Sequence, residues 1–332
     1  MSAKTTIQRS LVRAGVLRLA SKFFESGVAM IMYHSVMNDP SLAQTTLGGI
    51  VHSTNIFRGQ IDVIARYFHP VSLNDVLSFL RGEKLLPPRA VVVTFDDGYA
   101  DNYQVASDIL SRAGVPGVFY VTVDCIDRQR LPWPSLLRHA FLTSKNRNWT
   151  DPGGTVWALA STAQRIQAFD RASEYCAKLS GNSQDQFVEA IGQQLEAKSP
   201  PFLPRLMMTW DEVRGLTRNG HIVGSHTMTH PNMAYLSEND ARTELLEPKR
   251  RLEEELAIPI THFSYPCPAL QPHWTDHTVI ASRQIGYHTA VTTNGGIVRR
   301  QDDPLRLRRI RPTKTIEGLR WNLECAFLGR IV

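Results

Sequence analysis

The chain has 332 residues, 42% hydrophobic and 20% charged, with a formal charge of +6. That length suits one large domain or two small ones, and the balance is that of a folded, soluble chain. No run of about 18 apolar residues occurs, so no membrane-spanning helix is expected. Four widely spaced cysteines, Cys125, Cys176, Cys267 and Cys325, include no C-x-x-C pair; they read as reduced thiols rather than a disulfide framework or a zinc knuckle.

Lys4, Arg9, Arg13, Arg18 and Lys22 all precede the first acid, Glu25. The start has no continuous apolar core of the kind a secretory signal carries, and its basic side chains do not collect on one face at 100° per residue. It reads as a basic helix over residues 1–27. One reading is peripheral contact with an anionic membrane at its inner, cytoplasmic face; the other is a solvated helix packed on the domain. A second basic cluster, "RRQDDPLRLRRIRPTK", has no helix-turn-helix, zinc-finger or RNP-like pattern beside it, so nucleic acid is not expected as a partner.

"VAMIMYH" (Val28–His34) and "AVVVTF" (Ala90–Phe95) predict short buried strands, with helices "QIDVIARYF" and "LNDVLSFLRG" between them. After the helix "YQVASDILSRAG", "GVPGVFYVTV" predicts another strand. This alternation is that of a parallel α/β sheet or barrel. It breaks near Cys125, where polar, helix-like sequence runs to about Arg205 between two proline-rich hinges, "LPWPS" and "KSPPFLP". The alternation resumes with a capping box at Thr209 and Glu212. The strand "HIVGSH" follows, then a long helix capped by Ser237 and the strands "ITHFSYP" and "YHTAVTT".

The stretch "VVVTFDDGYADN" sets two adjacent carboxylates, Asp96 and Asp97, where a buried strand stops. Like charges side by side are costly, and the C-terminal strand edge of a parallel α/β fold is where chemistry is done. A cation would relieve the repulsion. His226 and His230, in "GSHTMTHP", also follow a buried strand. Two imidazoles and one carboxylate with positions left open form a catalytic zinc-type set, and the second carboxylate is then free to act as a base toward water.

At these residues the chain resembles the polysaccharide deacetylases, the NodB-homology or carbohydrate esterase 4 family. "TFDDGY" and "HTMTHP" stand in the order of its first two motifs, and most of the chain outside the insertion shares the likeness. The resemblance implies a distorted (β/α)7-type barrel, a divalent metal and hydrolysis of the acetamido group of an N-acetyl amino sugar. That sugar could sit in a glycan or a lipid- or nucleotide-linked saccharide. Carried over, Asp96 is the general base, Asp97, His226 and His230 hold the metal, and Thr227 supports their loop. Zn²⁺ is the expected ion, with Ni²⁺ or Co²⁺ able to fill the same set.

The third motif departs from the family's pattern. It reads "SYPCPA", with Cys267 where tyrosine usually stands. Cys267 keeps the backbone N–H that the family aims at the developing oxyanion. Ser264 stands where an arginine often orients the base, and Arg309 or Arg311 could supply that charge from elsewhere. The family's C-terminal histidine strand is absent. His34, in "IMYHSV", fits the branch in which an N-terminal Y-H pair supplies it, as proton donor to the leaving amine. Tyr99, Tyr265 and Trp274 are candidates for the sugar site. His273 and His277, at i and i+4 around Trp274, read either as a part of that site or as a surface helix start.

The expected division is a basic helix (1–27), a first barrel part (28–124), a helical insertion (125–205), a second barrel part (206–312) and a C-terminal helix (313–332). Three other functions stay open on sequence: a hydrolase of a small cyclic amide or ureide on the same fold, a non-catalytic glycan-binding relic, and a nucleic-acid binder.

Overall fold

A computed structural model describes residues 27–198, 200 and 205–331. The expected basic helix over residues 1–27 falls, except for Gly27, outside the described residues. Among those described, no helix is long and apolar enough to cross a membrane.

Strand β1 (Val28–Tyr33) leads through β2 (Ser35–Met37), β3 (Val51–Ser53), helix α1 (Thr54–Tyr67), the two-residue strand β4 (His69–Pro70) and α2 (Leu73–Leu80) to β5 (Ala90–Phe95). A π-helical turn, Asn102–Ser107, runs into α3 (Asp108–Arg112), followed by β6 (Gly117–Val121) and α4 (Val123–Asp127). After the insertion come α8 (Trp210–Arg218), β9 (Ile222–Ser225), α9 (Glu238–Leu256), β10 (His262–Ser264), α10 (Asp276–Ile285), β11 (Thr289–Val291) and α11 (Ile316–Ala326). The cap at Thr209 forms as its sequence dictates, with the reciprocal bonds of a capping box, and Ser237 caps α9.

The main sheet has seven strands, all paired in parallel, in the order β1-β5-β6-β9-β10-β11, with β4 also on β5. Continuous apolar runs suit strands buried on both faces. Their side chains alternate between two clusters. Ile31, Val91, Val93, Phe95, Phe119 and Val121 join the larger core. Val28, Met30, Ala90, Val92, Val118 and Tyr120 join a smaller one that reaches Val291 of β11, Leu307, and Leu73, Val76 and Phe79 of α2. That smaller cluster fills the inside of the curl. The gap between β11 and β1 is spanned by an irregular segment, with parallel bridges Val291 to Leu307 and Ile31 to Ile310. Close strand packing fixes one glycine. A Cβ on Gly224 would lie 2.6 Å from the Tyr120 ring and 2.8 Å from the His262 carbonyl oxygen.

Between α4 and α8, helices α5 (Trp133–Thr143), α6 (Thr162–Cys176) and α7 (Gly181–Gln194) pack around their own apolar cluster, which includes Trp133, Phe141 and Trp149. This region also holds an antiparallel pair, β7 (Asn148–Thr150) with β8 (Val156–Ala158), which its helix-like composition did not suggest. The reason is local. The Asp151 carboxylate accepts from Gly153 and Thr155 N–H, both at 2.9 Å, and closes the turn.

Candidate active site

The inward register of β5 passes from Ala90 through Val92 and Thr94 to Asp96. Asp96 N–H donates to the Tyr33 carbonyl at 3.1 Å. The chain then turns through left-handed backbone at Asp97 (φ 77°) and Gly98 (φ 91°). The two carboxylates consequently have separate partners.

Asp96 is 2% exposed, and Arg309, 1% exposed, meets it with a two-pronged contact at 2.8 Å and 2.8 Å. Arg309 also donates to the Thr292 carbonyl at 2.9 Å and to Ser264 Oγ at 3.1 Å. Of the two arginines the sequence offered, Arg309 reaches Asp96 from the segment that closes the barrel. Ser264, where the family's arginine would stand, accepts a bond from its replacement. Burial pushes the Asp96 carboxyl up, but the Arg309 charge and its hydrogen bonds, with His226 nearby, hold it below the usual range. Asp96 is thus ionised at neutral pH and able to accept a proton.

Asp97 Oδ1 lies 3.4 Å from His226 Nε2 and 3.3 Å from His230 Nε2. These residues offer three donor atoms within 4.8 Å of one another. His226 Nδ1 sits 2.8 Å from the Ser264 carbonyl oxygen. That contact assigns the proton to Nδ1 and leaves the Nε2 lone pair for a ligand. Asp97 Oδ1 is buried without a hydrogen-bond partner, a costly state for a carboxylate unless a cation accompanies it. Burial alone would raise the Asp97 pKa, but the two imidazoles hold it well below the ordinary value. The donor set therefore fits a divalent cation.

The loop between the histidines is strained and tied down. Thr227 (φ 66°) and His230 (φ 63°) are left-handed. Thr227 Oγ1 donates to the His226 carbonyl at 2.5 Å and accepts from His230 N–H at 3.0 Å. Glu244 of α9, 3% exposed, accepts from Met228 N–H at 2.8 Å, Thr229 N–H at 2.9 Å and Thr229 Oγ1 at 2.5 Å. Trp133 Nε1, from the insertion, donates to the His230 carbonyl at 2.9 Å. Glu244→Ala strands three donors, so we expect a loss of about 1–3 kcal/mol in stability. We also expect roughly 10–100-fold weaker metal binding. Chelator competition and thermal unfolding measure the two effects. Unchanged metal affinity would mean that Thr227 and Trp133 hold the loop without Glu244.

His34 follows β1 on the same cavity. Desolvation lowers its pKa despite the opposing pull of Asp97 and Asp96, so the ring is neutral at rest near pH 7. Its carbonyl accepts from Asn102 Nδ2 at 2.6 Å, and Asn102 Nδ2 also donates to Asp101 Oδ1 at 2.9 Å. Asp101 Oδ2 accepts from Ser35 Oγ at 2.5 Å. Burial raises the Asp101 pKa to about 7, against these hydrogen bonds. A carboxyl raised in the folded state stabilises in its protonated form. Its contribution is therefore full below pH about 4 and lost as pH rises through about 7. The Tm of Asp101→Asn minus that of the wild type should accordingly grow from pH 5 to pH 8. A flat difference would show that Asp101 titrates normally.

A cavity of about 500 Å³ opens over these groups. Its walls include His52, Tyr99, Ser135, Arg138, Phe169, Cys267, Thr293 and Arg311. Tyr99, a candidate for the sugar site, and Cys267, the expected oxyanion donor, both line this cavity. Tyr265 does not line it: its ring packs on Phe263 and Trp274 and its hydroxyl lies 3.4 Å from Ser282 Oγ. Trp274 is likewise absent from the cavity wall; the Arg306 guanidinium covers its ring at 5.3 Å. Of this segment only Cys267 and Pro268 line the cavity. His273 is buried, with Nε2 3.1 Å from Cys267 Sγ. It precedes α10, which Thr275 caps, rather than starting that helix.

Sequence reasoning missed Glu244, Trp133, Asn102 and Asp101. Asp101 and Asn102 belong to the stretch that already held Asp96 and Asp97. Glu244 looks like any acid of a charged helix, and nothing in the sequence marks it as the acid facing inward.

Residues 84–290 match the polysaccharide deacetylase family. YxkH of Bacillus subtilis (strain 168), named as a candidate polysaccharide deacetylase, is 18% identical over 294 residues, 87% of this chain and 72% of that protein. The Streptococcus pyogenes deacetylase PplD, solved with acetate, superposes with a TM-score of 0.60 and 18% identity over 90% of this chain and 98% of that one. IcaB from Ammonifex degensii does so at 0.58 and 17%, over 91% and 98%. At that identity the structural likeness speaks to the fold, a curled parallel barrel. The family match spans more than half of the chain, including "TFDDGY" and "HTMTHP". This chain belongs to the polysaccharide deacetylase family.

Proposed function

We propose that this protein is a metal-dependent N-deacetylase that hydrolyses the acetamido group of an amino sugar to acetate and a free amine. The observation that carries the reading is the pairing of two differently treated carboxylates on one cavity floor. Asp97 is left with an unpartnered oxygen between two histidines, and Asp96 is held ionised by Arg309.

In this reading Asp97, His226 and His230 hold a divalent cation, Zn²⁺ by ligand type, with Ni²⁺ or Co²⁺ also suited to the set. Such an ion supplies Lewis acidity toward water and the acetyl carbonyl. Asp96 removes the proton from the attacking water, and Arg309 keeps the carboxylate oriented. The Cys267 backbone N–H offers a donor to the developing oxyanion. His34, neutral at rest, takes a proton from solvent and gives it to the departing amine, and Asp96 returns the water's proton to solvent. The acetate bound to the S. pyogenes relative agrees with this product.

The test is acetate release from a panel of N-acetyl amino sugars, with the protein stripped of metal and then reloaded with Zn²⁺, Ni²⁺ or Co²⁺. Activity that returns with one of these ions supports the reading. Full activity of the stripped protein, or ring opening of small cyclic amides with no acetate released from any sugar, overturns it.

A further inference from the structure

The cavity carries more positive charge than deacetylation uses. Asp96 is balanced by Arg309, and Asp97 faces the proposed cation. Two more arginines, Arg138 and Arg311, line the same cavity. Neither forms an ion pair among the described residues.

Arg138 comes from α5 of the insertion. Its Nη2 makes one long contact, 3.5 Å to the Gln44 carbonyl, and its Nε is buried with no acceptor. Asp170 feels its charge without pairing with it. The guanidinium lies over Gly48, whose φ is +56°; a Cβ there would stand 2.7 Å from Nε and 2.8 Å from Cζ. Glycine thus leaves room for the guanidinium. A buried donor with no acceptor is costly in the free protein and is satisfied by a ligand that brings one. Arg311 lies on the wall shared with Cys267, Pro268 and Thr293, just after Ile310 pairs with β1. Its side chain is exposed, and the groups that feel its charge, Cys267 and His273, offer no negative charge in return. Of the other titratable wall residues, His52 is held neutral by burial, at about 4, and burial pushes the Tyr99 hydroxyl well up.

We propose that Arg138 and Arg311 bind a phosphate group carried by the substrate, so that the amino sugar hydrolysed here is a phosphate ester or diphosphate-linked sugar rather than a neutral oligomer. The inference rests on the deacetylase reading. Two positive charges without an ion-pair partner match the roughly −1.5 to −2 charge of a phosphate at neutral pH, and forked guanidinium donors suit its several oxygens. A carboxylate would satisfy one fork and leave the other unpaired. A neutral sugar would leave both unpaired, which is how a site built for hydrogen bonding rejects an analogue lacking the group.

Acetate release is to be measured, at low salt, on N,N′-diacetylchitobiose, N-acetylglucosamine 1-phosphate, an N-acetylglucosaminuronate glycoside, and a polyprenyl-diphosphate-linked N-acetylglucosamine in micelles. We expect kcat/KM on a phosphate-bearing probe to exceed that on chitobiose by about 10²-fold. The faster of the two phosphate probes identifies a free or a lipid-linked source. Arg138→Gln and Arg311→Gln should each lower that ratio by roughly tenfold or more, through KM. Equal rates on all probes, a preference for the uronate, or a ratio that neither variant moves would overturn the inference. Arg311 is exposed, so its variant still reports if Arg138→Gln fails to fold. Calorimetric binding of N-acetylglucosamine 1-phosphate against N-acetylglucosamine to the Asp96→Asn variant reads the anion site without turnover. Phosphate-dependent binding lost in the arginine variants supports the inference even if no probe releases acetate, in which case it is the deacetylase reading that fails. Phosphate binding that neither arginine variant weakens would be capture by the metal and would overturn the inference.

Discussion

On the proposal that Asp97, His226 and His230 hold a divalent ion, His230→Ala is expected to leave this protein folded but without that ion. The loop that presents His230 is held by groups that do not use the imidazole. Trp133 bonds the residue's carbonyl, Thr227 its N–H, and Glu244 the neighbouring amides. Removing the ring therefore deletes a ligand without deleting the loop. With three protein donors in the set, none is spare, and the loss should exceed the roughly 10–100-fold that follows from removing a supporting partner. Elemental analysis of Zn²⁺-loaded, gel-filtered protein should find the variant nearly empty, and acetate release should fall to background. The Tm of the metal-free variant should match that of the metal-free wild type. Full occupancy in His230→Ala would remove His230 from the ligand set.

Asp96→Asn should give the opposite pattern, a full metal site and little turnover. Asparagine keeps the shape of the carboxylate and one acceptor for Arg309, and it leaves the Asp97, His226 and His230 donors in place. It cannot take a proton from water, so kcat should fall by about 10²–10⁴. Metal content should stay at the wild-type level. Stability should fall as well. Arg309 is almost wholly buried, and removing one partner of a buried ion pair leaves an uncompensated charge, a loss of about 3–5 kcal/mol. The asparagine oxygen places the expected loss at the lower end. Adding Arg309→Met to Asp96→Asn should recover stability without recovering activity, because an apolar side chain of similar length removes the stranded charge. A variant that loses its metal yet keeps substantial activity would show that Asp96 and Asp97 have exchanged roles.

Most of the barrel strands, and the charged and imidazole side chains at the ends of two of them, were legible in the sequence. Ala90–Phe95 reads as a strand because β-branched residues fill it. Asp96 and Asp97 stand out because two charges directly follow a run that must be buried. His226 and His230 stand out because the same thing happens after "HIVGS". These signals are local, carried by residues within a few positions of one another, and local pattern is what a single sequence shows. The tertiary structure decided the partners that come from far along the chain. Arg309, 213 residues from Asp96, reaches it only because an irregular segment closes the barrel between β11 and β1. Propensity marks no strand there. Glu244 and Trp133 reach the histidine loop from a surface-like helix and from the insertion, and burial of one charged or aromatic side chain among several similar ones is set by packing. The same holds for Tyr265 and Trp274. Their residue types suited a sugar site, but the direction of each side chain along a three-residue strand and its loop turned one into the core and the other under Arg306. Arg138 looked like an ordinary member of a basic chain, and Arg311 stood out only as a possible partner for Asp96. Only the folded cavity, which sets them on its walls with no carboxylate to pair with, gives their charge a direction.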